Sequence, residues 1–176
     1  RDTRPYQIFA SVNNTGTITN SGAGTGTNVI SASIGGNVTN LTQNSATSNL
    51  TLSGTSSFNG ATTINSGTLV VNGSAANSAV TIGSGGILGG TGTVGALTVQ
   101  SGGRVGPGNS PGNLNVSTLT LEGGGGYNWE IGDATGTAGT NWDLITVGGG
   151  SGAATINATS GNKFTIYISG NPVGWD

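Results

Sequence analysis

Five of the six carboxylate side chains of this 176-residue chain fall in its last third: Glu122, Glu130, Asp133, Asp143 and Asp176. Two such acids held about 5–10 Å apart would hydrolyse a glycosidic bond, one protonating the leaving oxygen and the other acting as base or nucleophile. The rest of the sequence offers that chemistry little support. Histidine is absent, and the only bases are Arg1, Arg4, Arg104 and Lys163. Glu130 follows Trp129 and Asp143 follows Trp142, a matched pattern that reads as two strands of similar construction rather than a catalytic pair. No catalytic residue is expected, and the chain is read as not an enzyme.

Other ligand chemistries fare no better. Residues 132–137, around Asp133, have a passing likeness to a calcium loop but lack the alternating acids and the closing Glu of an EF-hand. Thr-x-Thr units at Thr17, Thr25, Thr91 and Thr118 suggest an ice-binding face, yet their gaps are irregular where a flat ladder needs constant spacing. Glycine patterns such as Gly90-Thr91-Gly92 have no following lysine or helix, so they are not phosphate loops. The four bases are too scattered for nucleic acid. No metal and no cofactor are expected.

Two apolar groups remain. Tyr127, Trp129 and Trp142, exposed together, would stack on sugar rings; buried with Tyr167 and Trp175, they would plug the end of a thin core. Residues 1–14 hold two arginines, a proline and two aromatics. They form either a cap or an arm whose Tyr6, Ile8 and Phe9 dock on the open end of a neighbouring subunit. The partners so implied are other copies of the chain or other surface components, with polysaccharide as the alternative.

What could position these residues is nearly all β. Glycine supplies 36 residues, charged side chains only 6%, and the net charge is −2. Apolar residues alternate with Thr, Asn and Ser over 16–19, 32–34, 37–39, 49–53, 62–65, 68–71, 79–82, 96–99, 113–121 and 143–147. The stretch 163–168 reads as the longest and most aromatic strand. Val80-Thr81-Ile82 returns as Leu97-Thr98-Val99, 17 positions on, and Leu97 returns as Leu119 after 22. Strands that short cannot stand alone, so the repeat predicts an all-β right-handed parallel β-helix with turns of roughly 17–22 residues, like aliphatics stacked from turn to turn. Glycine and asparagine suit its corners, where φ is often positive.

Residues 66–124 resemble the passenger-associated transport repeat of autotransporter proteins, also called the autotransporter-associated β-strand repeat. The likeness rests on Gly67-Thr68-Leu69-Val70-Val71-Asn72-Gly73, on residues 88–94 (LGGTGTV) and on residues 107–112 (PGNSPG). It covers about a third of the chain. Residues 127–149 and the strand around Phe164 resemble the segment C-terminal to this repeat in large secreted bacterial proteins. The resemblance implies a right-handed β-helix shown on or released from a bacterial cell surface, and it brings no catalytic residue. Nothing in the chain resembles that family's membrane barrel, so autotransport itself is not expected. With no Met, the chain reads as a processed piece; with no Cys, it has no disulfide or thiolate site. No stretch is long and apolar enough for a membrane helix.

The expected organisation is a cap or assembly arm over residues 1–14, a β-helix over 15–124, and a C-terminal β segment with an aromatic cap over 125–176. The expected role is non-enzymatic, as a rigid stalk, adhesin segment or fibre subunit outside the cell. A carbohydrate-binding or polysaccharide-cleaving β-helix is the alternative.

Overall fold

The computed structural model describes residues 3–109, 111–148, 150, 153–171, 173 and 174. Arg1, Asp2, Ser110, Trp175 and Asp176 therefore lie outside the described residues. The described chain is all β. It begins with β1 (Tyr6–Ile8), β2 (Gly16–Asn20), β3 (Asn28–Ile30), β4 (Val38–Asn44) and β5 (Leu50–Leu52). The longest strand, β6 (Ala61–Val71), is followed by β7 (Ser74–Ala75), β8 (Val80–Ile82), β9 (Gly86–Gly89), β10 (Thr93–Val94), β11 (Leu97–Val99) and β12 (Arg104–Val105). The last six are β13 (Asn113–Val116), β14 (Leu119–Glu122), β15 (Gly126–Glu130), β16 (Leu144–Val147), β17 (Ala154–Asn157) and β18 (Thr165–Ser169). Among the described residues no helix is long and apolar enough to cross a membrane.

Every pairing between these strands is parallel, and the pairings fall into three ladders. The first runs β2, β4, the start of β6, β8, β11, β14, β17. The second runs β1, β3, β5, the end of β6, β9, β12, β15, β18. The third runs β7, β10, β13, β16. From β6 onward the chain visits first, second and third ladder in that order, again and again. Because β6 passes from the first ladder to the second without a break, those two form one 14-stranded sheet beside the 4-stranded third.

The cause lies in the alternation. The strands between β5 and β13 bury alternate residues for the most part, and the ladders stack those residues in columns. Val80 pairs with Leu97 and Leu97 with Leu119; Ile82 pairs with Val99 and Val99 with Leu121. In the second ladder Leu50, Leu69, Leu88 and Val105 form another column. Ala75, Val94 and Val116 form one in the third. All but Leu121 are buried, and each fully buried Val or Leu contributes roughly 1.5–3 kcal/mol. The 17- and 22-residue spacings read from the sequence are two successive register steps of the first ladder, Val80 to Leu97 and Leu97 to Leu119. The final steps are longer, from Leu119 to Ala154 and from Tyr127 to Ile166, because residues 131–143 and 158–164 make excursions outside the ladders.

Several local expectations change in detail. The stretches 62–65 and 68–71 are not separate strands: β6 runs through both, and Gly67, at φ 69°, turns the corner between ladders. A Cβ there would strike the Ser45 carbonyl. Residues 32–34 form no strand; Ile34 makes a single bridge to Val12. The longest strand is β6 rather than 163–168, and Phe164 packs on the core from outside β18.

One column is not apolar throughout. Asn20 and Gln43 precede Ile64, Ile82 and Val99 in the first ladder. Gln43 is fully buried and satisfied: its Oε1 accepts from Asn20 Nδ2 at 2.7 Å, and its Nε2 donates to the carbonyls of Ser45 at 2.9 Å and Ser48 at 3.0 Å. Asn28 adds a bond to Asn20 Oδ1 at 3.0 Å, knitting first and second ladders at this corner. Buried polar groups persist only when so paired.

Candidate functional site

The chemistry-bearing residues converge at one place, around Asp143. Trp129 and Glu130 end β15, while Trp142 and Asp143 lead into β16. The excursion between them folds back, so that Ile131 and Trp142 make an antiparallel bridge and Asp143 N donates to the Glu130 carbonyl at 2.8 Å. The two Trp-acid pairs of the sequence therefore lie against one another.

Asp143 is 5% exposed. Its Oδ2 accepts the N–H of Glu130 at 2.9 Å and its Oδ1 that of Gly112 at 2.8 Å. The Asp143 carbonyl accepts from Trp129 Nε1 at 2.8 Å. Burial pushes its carboxyl above the ordinary carboxylate range; the two N–H donors pull it back, and the Glu130 charge pushes it up again. Tyr127 is driven up too, by burial first and the Asp143 charge second.

Through Gly112, Asp143 anchors the loop at residues 107–112. Gly108, at φ 83°, and Gly112 approach so closely that a Cβ on either would strike the other's backbone. Gly108 and Gly90 exchange backbone hydrogen bonds, which holds the loop against the second ladder. The two glycines of this segment are thus needed for contact.

Asp143 separates two clefts. One, of about 280 Å³, is lined by Gly89, Gly106, Asn109, Asn128, Glu130 and Asp143 among others. The other, of about 370 Å³, is apolar, with Tyr127, Trp129, Trp142, Leu119 and Leu121 in its wall. The three aromatics proposed for sugar stacking are hence brought together, each half-buried. Tyr167 instead lies outside, over the Arg104 guanidinium at 4.1 Å, in the space that Gly126 leaves by lacking a side chain.

The remaining candidates disperse. Asp133 is spent in a local turn, accepting from Thr135 N at 2.9 Å and Thr135 Oγ1 at 2.8 Å. Glu122 accepts from Asn157 Nδ2 at 2.8 Å. Tyr6, Ile8 and Phe9 are 59%, 45% and 73% exposed at the far end of the second ladder. Counting Thr-x-Thr units missed a threonine file: Thr19, Thr42, Thr63, Thr81, Thr98, Thr120 and Thr155 stand in register along the first ladder. No second file of threonines runs beside it: the neighbouring positions are Thr17, Asn40 and Ala61 on successive strands. The buried Gln43 network was missed as well. Only its surroundings mark it, since one Gln among Asn, Ser and Thr carries no periodic signal.

Fold and site together define an all-β protein of parallel ladders in which Asp143, the most buried carboxylate among the described residues, holds Gly112 and Glu130. A scan against protein-family models finds no match, and neither does a search of the curated proteins.

Proposed function

We propose that the chain is a right-handed parallel β-helix serving as a rigid, non-enzymatic stalk or fibre segment of a secreted bacterial surface protein. The observation that carries this reading is the repeated return of the chain to three parallel ladders with like aliphatics in register. Load along such an axis falls on backbone hydrogen bonds, which are shared across each ladder instead of concentrated at one contact. The use of Asp143 as an anchor, and of Asp133 and Glu122 in local bonds, supports a structural role over catalysis. The likeness of residues 66–124 to the passenger-associated transport repeat supports the cell-surface setting.

Eight strands stacked at the usual spacing of about 4.8 Å give a second ladder roughly 34 Å long. Small-angle scattering should return a particle elongated along that axis, and stretching between its termini should unravel it in steps of one turn. A spherical particle, or one that yields in a single step at low force, would count against the reading.

A second reading keeps carbohydrate as ligand, because Glu130, Asp143, Asn109 and Asn128 line one cleft. Screening against plant, algal and bacterial glycans decides it: retention of one class, abolished by Asn128→Ala, would favour it over the stalk.

A further inference from the structure

Two Asn-Gly pairs occur in the sequence, Asn59-Gly60 and Asn72-Gly73. In such a pair the glycine nitrogen can attack the asparagine side-chain carbonyl, because no Cβ screens it. Both pairs lie just before a strand, the first leading into β6 and the second into β7. In both, the asparagine is exposed and the glycine half-buried. Both glycines are also dictated by the neighbouring layer: a Cβ would strike the Thr39 carbonyl at Gly60 and the Gly54 carbonyl at Gly73. Sequence and setting are thus alike. The hydrogen bonding is not.

Asn72 is held by backbone and side chain. Its own N–H and that of Gly73 both donate to the Leu52 carbonyl, at 2.9 and 3.1 Å. Its Oδ1 accepts from Thr91 N at 3.3 Å. Two successive N–H groups share one acceptor only when both nitrogens lie on the same side of the Cα between them. Ring closure needs the Gly73 nitrogen swung round toward the Asn72 Cβ, so at least one of these bonds must break first.

Asn59 carries no such restraint. Among the described residues, nothing accepts a hydrogen bond from Asn59 N or Gly60 N, and nothing bonds the Asn59 side chain. Phe58 before the pair is fully buried and Ala61 after it opens β6, so the freedom is confined to the pair itself.

We propose that Asn59 is a site of spontaneous deamidation and that the fold protects Asn72 from the same reaction. The Gly60 nitrogen bonds to Asn59 Cγ and gives up its proton, ammonia leaves from Cγ, and a five-membered succinimide results. Water then opens the ring at either carbonyl, leaving aspartate or isoaspartate; in sum one water is consumed and one ammonia released. Residues 5–103 contain no charged side chain, so the product places a carboxylate in an otherwise uncharged stretch. The isoaspartate form also lengthens the main chain by one carbon at the entry to β6, the strand that joins the first ladder to the second. This chemistry depends on the two corners alone and not on the stalk reading.

The test incubates the 176-residue chain folded, and in parallel in denaturant, at neutral to mildly alkaline pH, following both asparagines by peptide mass spectrometry. Each rate in the folded chain is divided by its rate in denaturant, which removes the influence of local sequence. After that division Asn72 should lag Asn59 by on the order of ten- to a hundredfold, the effect of breaking one or two hydrogen bonds of ordinary net strength before attack. Isoelectric focusing of the folded chain should show a more acidic species that grows with time. Asn59→Gln, at an exposed position and confirmed as folded by its melting transition, should remove most of that species, since the longer side chain closes a less favourable six-membered ring. An Asn59 that survives in the folded chain while the denatured chain converts would overturn the inference. So would an Asn72 that converts as fast as Asn59 in the folded chain, or an acidic species undiminished in Asn59→Gln.

Discussion

Gly112 donates its backbone hydrogen to the Asp143 carboxylate at 2.8 Å, across 31 positions of chain. The bond joins the loop at residues 107–112 to the start of β16, and the same carboxylate holds Glu130 of β15. One buried acid thus ties three segments together.

Asp143→Asn keeps the shape but replaces one acceptor oxygen by a donor. Either Gly112 N–H or Glu130 N–H then faces an NH₂ group and is orphaned, at a cost of about 1–3 kcal/mol. Denaturant unfolding should show that loss, and amide exchange at Gly112 or Glu130 should accelerate with it. Unchanged stability together with unchanged exchange would mean the anchor is idle.

The raised pKa of Asp143 has a direction in pH. The folded state holds this proton more tightly than the unfolded state does. The contribution of Asp143 to stability is therefore fully present below its unfolded pKa and is lost as pH rises through the higher folded value. Melting temperatures of the parent, compared with Asp143→Asn between about pH 3 and 7, should show a downward component with rising pH that the variant lacks.

Gln43 is fully buried between Asn20, Ser45 and Ser48. Gln43→Leu suits the apolar column of Ile64 and Ile82 but leaves the Ser45 carbonyl and one bond of Asn20 unmet. The unmet groups should cost about 1–3 kcal/mol each, more than the leucine returns. The double variant Asn20→Leu/Gln43→Leu should lose less than the sum of the two single changes, as a double-mutant cycle measures.

Two glycines should answer oppositely to alanine. Gly90, at φ 101°, would drive a Cβ into the backbone of Val71, so Gly90→Ala should destabilise by about 1–3 kcal/mol or more. At Gly83 the nearest atom to a new Cβ is 3.5 Å away. Gly83→Ala should be neutral or stabilise by about 0.4–1 kcal/mol through the unfolded chain. Thermal melts of both separate the outcomes.

The contrast between Leu97 and Gln43 shows how far the sequence reaches. The motif Leu97-Thr98-Val99 declares a half-buried strand by itself, and its likeness to residues 80–82 declares its neighbour, because stacked turns must offer the same kind of side chain at the same height. Strand type, the parallel stacking and the 17- and 22-residue steps could be read that way. The likeness of residues 85–89 to 102–106 likewise matches Leu88 with Val105, but it does not mark them as strands: the aliphatics of β3 and β9 are adjacent rather than alternating and β12 has one, so each owes its strand geometry to the ladders on either side.

The candidate site divides along the same line. The two Trp-acid pairs were visible as text, but nothing local said that residues 131–142 would fold back and set them face to face. Nor could composition reveal that Ile166 and Ile168 end exposed while Leu88 is buried, since all three are aliphatics in strands. Alternation is written residue by residue, so the sequence alone determined which side chains face inward. What each inward side chain meets depends on the next layer of chain, and only the tertiary structure decided that.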